Sequence, residues 1–178
     1  MRSYDYSNRK GVRALTWEEF HALTLTLAER LEALGVEAVV GIARAGLFPA
    51  TGVAIALRRE LYPCRVTRRV NDQVVRQTPA WVVPVVGDVA GKVVAVVDEI
   101  ADTGETLATV ARAVREQGAR QVVTAALAAH TWAYPAPDVT ALVTDELVIF
   151  PWDRQVRVAG RWQLHPEIEE ALRLQEGK

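Results

Sequence analysis

The sequence predicts an α/β domain built on a mostly parallel sheet, and three stretches carry that prediction. "VVAVVDE" (93–99) opens with an unbroken apolar run of the kind that a parallel sheet buries on both faces. A segment over about 105–117 follows, with Leu107, Val110, Ala111 and Val114 at helical spacing and Gly118 as its stop. Directly after it comes "QVVTAAL" (121–127), a second apolar run. Strand, helix and strand in such short succession make a βαβ unit, whose two strands pair in parallel and whose helix covers a sheet face.

The remaining elements extend this pattern. Residues 16–35 read as a helix: Thr16 and Glu19 offer a capping box and Gly35 a stop, and Phe20, Leu23, Leu27, Leu31 and Leu34 form one apolar stripe. "VEAVVGIA" (36–43) is a short buried strand that runs into a turn at "RAGLFPA", and a helix over about 47–59 should follow. "CRVTRRV" (64–70) alternates apolar and basic residues, as a half-exposed strand does. Residues 71–90 hold prolines, a glycine and no sustained period, so they read as a long loop or hairpin, with strand pieces in "WVVPVV". "VTALVTD" and "ELVIFPWD" look like two more strands, joined around Asp145 and Glu146. "HPEIEEALRL" is a last short helix with Pro166 in its first turn.

The 178 residues, 50% hydrophobic and 24% charged, suit one domain spanning 1–178 with a core of useful size. A net charge of −1 gives no general affinity for nucleic acid or anionic membrane, and no partner of either kind is expected. The lone Cys64 excludes an intramolecular disulfide framework. No signal-peptide pattern opens the chain, and no apolar run approaches the ~20 residues of a membrane helix. A soluble, cytoplasmic protein is the simplest expectation.

Chemistry concentrates where the 93–99 strand ends. Ligands of parallel sheets bind beyond the carboxyl ends of strands, where the next helix starts. The backbone N–H groups of "ADTGET", with the hydroxyls of Thr103 and Thr106, suit a phosphate, and Gly104 permits close approach. Asp98 and Glu99 would repel that phosphate if they faced it; they are better placed to hold hydroxyl groups or a divalent cation shared with phosphates. A sugar phosphate therefore fits the stretch. Adjacent acids are equally what a solvated strand end or a helix N-terminal charge pair carries, so spacing alone leaves both readings open.

The stretch "VVAVVDEIADTGET" resembles the PRPP-binding motif of the type I phosphoribosyltransferases: an apolar strand, two acids, two variable residues and a Thr-Gly-x-Thr loop. Glu99 stands where Asp is commoner. The resemblance implies ribose hydroxyls and Mg²⁺ on Asp98 and Glu99, the metal being held largely through PRPP. It places the 5′-phosphate on Asp102, Thr103, Gly104, Glu105 and Thr106, with Asp102 near the base as the catalytic residue. "VVGIARAGLFPA" looks like the family's pyrophosphate loop, with Arg44, Ala45 and Gly46 at its tip and a strained peptide expected between Ala43 and Arg44. By position, residues 64–90 match its flexible catalytic loop, which makes Arg68, Arg69 and Arg76 candidates for the pyrophosphate; Lys92 is a weaker one.

With "LTWEEF" at the start and "VIFPWD" near the end, the chain looks most like the 6-oxopurine members, of the xanthine-guanine and hypoxanthine type. That implies a type I fold with a core over about 36–130 and a small hood from the N-terminal and C-terminal segments. The hood would hold the base through Leu147, Val148, Phe150 and Trp152. Two positions depart from the subgroup. His130 stands where a lysine commonly reads the exocyclic oxygen of the base, and a protonated nitrogen could donate the same bond. Leu147 stands where an aromatic ring commonly stacks, with Trp132, Phe150 or Trp152 as possible substitutes.

The expected reaction is transfer of phosphoribose from PRPP to a base, giving a nucleoside 5′-monophosphate in salvage, with Mg²⁺ as cofactor and a homodimer as the working form. Two other readings remain at this level: a PRPP-sensing regulator on the same fold, for which the short segment before Thr16 leaves no room for a winged-helix domain, and a transferase for a different base.

Overall fold

The computed structural model describes residues 9–70 and 73–176. In chain order these form β1 (Val12–Ala14), α1 (Trp17–Ala33), β2 (Ala38–Ile42), α2 (Leu47–Leu57), β3 (Glu60–Thr67), β4 (Arg69–Val70), β5 (Gln73–Val74), β6 (Ala80–Val83), β7 (Val93–Ala101), α3 (Glu105–Glu116), β8 (Gln121–Ala129), β9 (Val139–Val143), β10 (Leu147–Ile149), β11 (Gln155–Val158), β12 (Arg161–Leu164) and α4 (Pro166–Glu176). They pack as two units: one from Leu23 to Val143, the other from the segments up to Ala22 and from Thr144 onward.

In the larger unit one six-stranded sheet has the order β6-β3-β2-β7-β8-β9, with every pair parallel except the antiparallel edge pair of β6 and β3. Alternation inside the apolar runs serves both faces. Val94 and Val96 of β7 join Val40, Val110 and Val114 on the α3 side, whereas Val93, Ala95 and Val97 join Leu27, Leu31 and Val53 on the side of α1 and α2. That double burial is why the run is continuously apolar. The predicted face of α3 is buried at all four positions, Leu107, Val110, Ala111 and Val114.

The capping box of α1 forms reciprocally: the Glu19 N–H donates to Thr16 Oγ1 (3.1 Å) and the Thr16 N–H to Glu19 Oε2 (2.9 Å). The helix ends at Ala33, so Leu34 lies outside it and is exposed. The basic-apolar strand begins earlier than expected, at Glu60, and breaks at Arg68 before the short β4–β5 hairpin. The expected 71–90 loop thus contributes β5 and the edge strand β6; residues 71–72 lie outside the described residues.

The two strands expected around Asp145 and Glu146 exist but part company. β9 pairs in parallel with β8 at the sheet edge, Ala125 opposite Val139, which takes the larger unit past the 36–130 core. β10 belongs to the smaller unit, in parallel with β1, Val12 opposite Leu147. There Leu147 and Ile149 pack with Ile168 and Ala171 of α4. The hairpin β11–β12, which sequence reasoning missed, turns at Ala159 and Gly160, both at positive φ (48° and 80°). Among the described residues no helix is long and apolar enough to cross a membrane.

Candidate functional site

The strand order creates a switch point. β2 leads through α2 to β3 on one side, and β7 leads through α3 to β8 on the other, so the turns after β2 and β7 leave neighbouring strands and diverge. Gly41 of β2 lies opposite Val97 of β7, which sets the 43–46 turn beside Asp98. Ligands of such sheets bind in this crevice.

Gly46 lets the two elements meet. A Cβ built there would lie 2.5 Å from Asp98 Oδ1, 2.5 Å from the Ile42 carbonyl oxygen and 2.9 Å from Asp98 Cα. No side chain longer than glycine's fits between the turn and β7. The peptide between Ala43 and Arg44, where the resemblance expects strain, is cis. Arg44 is exposed at the tip of the turn. Of the two adjacent acids, Asp98 is buried and its Oδ1 accepts the N–H of Glu99 (3.0 Å), while Glu99 is half-buried. Burial, and then the charge and hydrogen bonding of Glu99, push the Asp98 carboxyl well above the usual range. A cation or a hydroxyl donor would relieve that cost.

The 102–106 loop starts α3 at Gly104, which has φ +79° and gives the helix no side-chain cap. Its first-turn N–H groups and the positive end of the helix dipole are the features that hold anions. Gly104 is required for a second reason: a Cβ there would lie 2.2 Å from the Pro135 carbonyl oxygen, because the segment after β8 closes over the loop. The Tyr134 N–H donates to the Thr103 carbonyl (3.1 Å) and the His130 N–H to that of Ala101 (3.2 Å).

Among the candidate cations, Arg68 forms an ion pair with Glu105 in the 102–106 loop, with only 13% of its side chain accessible against 49% for Glu105. Sequence placed both at the site without indicating that they pair. Arg69 stands in β4, and the exposed Arg76 donates its N–H to the Arg68 carbonyl (3.1 Å). Lys92 is held by Asp88, at 2.7 Å from Oδ2.

The base candidates divide between the units. In the larger one the His130 side chain is almost wholly buried and stacks on Trp132, with ring centroids 4.4 Å apart. The Trp132 Nε1–H donates to Asp102 Oδ1 (3.2 Å), a bond no sequence period announces. Strand register points to its surroundings: Ala101 lies opposite Ala129, so Asp102 and His130, which follow, are neighbours. In the smaller unit Leu147 faces α4 within the core, Val148 is half-buried, and Phe150 stacks on Trp152 (4.8 Å, 10°), whose ring also meets Phe20 edge-on (5.0 Å).

Residues 17–160 match the model of the phosphoribosyl transferase domain family. A purine phosphoribosyltransferase from Pyrococcus horikoshii is 30% identical, with 83% of this chain and 97% of that one covered at a TM-score of 0.72. The Helicobacter pylori xanthine-guanine-hypoxanthine phosphoribosyltransferase is similar in fold, at 23% identity, 79% and 93% coverage and a TM-score of 0.67. A ribose-phosphate pyrophosphokinase from a Nostoc species is 54% identical over 43 residues, 24% of this chain and only 13% of that protein.

Proposed function

Because the chain belongs to the phosphoribosyltransferase family and has the type I α/β fold, we propose that it is an enzyme that transfers the 5-phosphoribosyl group of PRPP to a 6-oxopurine base, giving a nucleoside 5′-monophosphate and pyrophosphate. The observation that carries this reading is the close approach of Gly46 to Asp98, which joins a pyrophosphate-type turn to a ribose-type carboxylate pair at the switch point.

Each residue then has a task. Asp98 and Glu99 accept hydrogen bonds from the ribose hydroxyls. The N–H groups of 102–106 and the hydroxyls of Thr103 and Thr106 donate to the 5′-phosphate. Arg44 and the turn through Ala45 and Gly46 bind the pyrophosphate, joined by Arg68 once phosphate draws it from Glu105, and by Arg69. As the C1′–O bond to pyrophosphate breaks and the C1′–N bond forms, Asp102 takes the proton that the base nitrogen loses.

Among the described residues no group of three or more metal-ligating side chains forms. The adjacent carboxylates of Asp98 and Glu99 instead fit Mg²⁺ shared with PRPP oxygens, and the raised Asp98 carboxyl is what a cation would relieve. Bound there, Mg²⁺ supplies charge neutralisation for the departing pyrophosphate. His130 and Trp132 border Asp102, and the Phe150–Trp152 pair remains a candidate aromatic surface for the base. The working form is a cytoplasmic homodimer, which light scattering tests.

The deciding experiment incubates the protein with PRPP, Mg²⁺ and a panel of purine and pyrimidine bases while pyrophosphate release is measured. Release with guanine, xanthine or hypoxanthine supports the reading, and chelation should stop it. No release with any base, together with no thermal stabilisation by PRPP, sinks it.

A further inference from the structure

Asp102 has aromatic company that the reaction outlined above does not use. Trp132 donates its indole N–H to Oδ1 at 3.2 Å, and His130 Nε2 lies 3.9 Å from the same oxygen. The two rings stack at an interplanar angle of 18°, the imidazole buried behind and the indole 38% accessible in front. Backbone bonds fix the arrangement on both sides of Asp102, from the His130 N–H to the Ala101 carbonyl and from the Tyr134 N–H to the Thr103 carbonyl. The indole hydrogen bond and the imidazole edge thus meet at one carboxylate oxygen.

We propose that Trp132 is the positioning residue for Asp102: its indole N–H fixes the carboxylate in the orientation that takes the proton of the base, with the His130 ring as the buried support that limits the swing of the indole. The inference rests on the phosphoribosyltransferase reading. Indole is a donor only, so it keeps its own proton and leaves the base proton on Asp102. A carboxylate tied through one oxygen loses rotational freedom before substrate arrives, and such pre-orientation lowers the cost of reaching the transition state. Glu105 of the same loop is engaged with Arg68.

The test is Trp132→Phe, which keeps a ring on His130 and deletes the N–H. It should lower kcat about tenfold, the scale of one hydrogen bond to a charged group, with KM for PRPP unchanged. In an Asp102→Ala background the same substitution should cost nothing more, because there is no carboxylate left to orient. An equal loss in both backgrounds, or full kcat in the single variant, overturns the proposal. A second measurement needs neither turnover nor a folded Trp132 variant: in ¹H–¹⁵N spectra of the whole protein, Asp102→Ala should displace one indole N–H resonance, and none moving overturns it. Should the wild type turn over no base, the functional reading fails separately, and the indole resonance still decides whether Trp132 holds Asp102.

Discussion

Replacing Gly46 by Ala tests whether the turn after β2 and the carboxylates of β7 must touch. The new Cβ would stand 2.5 Å from both Asp98 Oδ1 and the Ile42 carbonyl oxygen, about 0.9 Å inside ordinary contact at 3.4 Å. Two of its three nearest atoms, Ile42 O and Asp98 Cα, are backbone of β2 and β7 and cannot swing aside as a side chain could. The turn must therefore lift. Overpacking of this kind costs about 1–3 kcal/mol, which for a chain of this size lowers Tm by roughly 2–12 °C. The lift also carries Arg44 away from Asp98, so stabilisation by PRPP with Mg²⁺ should vanish in a thermal-shift assay. Gly35→Ala is the control. Gly35 has φ +70° with nothing within 4 Å of a Cβ, so its variant incurs only left-handed backbone strain, about 1–2 kcal/mol, and should keep full PRPP stabilisation. A Gly46→Ala protein with wild-type Tm and wild-type PRPP stabilisation would refute the reasoning.

Asp98→Asn should raise the Tm of the ligand-free protein at pH 7 while abolishing its response to PRPP, because the buried carboxyl has a folded-state value above its unfolded one. A group shifted that way costs nothing at low pH and costs stability as pH rises, so the gain should shrink as melts are repeated down to pH 4. Glu19 is the opposite case: the Thr16 N–H bond lowers its value from 4.5, so its contribution is present above that pH and lost below it. Melts should accordingly fall more steeply below pH 4.5 in the wild type than in Glu19→Gln. The Cys64 thiol, 1% exposed and pushed up to about 12 by burial and then by Asp98, should resist thiol reagents at pH 8 until the protein is unfolded; rapid labelling of the native protein would contradict this.

What the sequence made legible is what neighbours along the chain decide. Thr16 and Glu19 cap each other across a single turn, and Leu107 to Val114 bury one helical face, so both could be read directly. Strand partnership is settled by distant residues instead. "VTALV" and "LVI" look alike, yet the first pairs with β8 and the second with β1, and no residue within either stretch announces the difference. The hairpin of β11 and β12 was legible in principle, from alternating Val156 and Val158 ahead of an Ala-Gly turn. At the candidate site, each motif could be read because its loop is continuous, whereas the Arg68–Glu105 and Trp132–Asp102 pairs join separate segments through side chains. Register accounts for part of the second pair. If Val93 is set opposite Gln121, each step along β7 and β8 stays matched to Ala101 opposite Ala129, and the next residues out, Asp102 and His130, must emerge side by side. A parallel sheet thus converts two strand starts into a list of residues that can meet at its carboxyl edge, and for this chain that list holds the Asp102 carboxylate and His130, the ring on which Trp132 stacks.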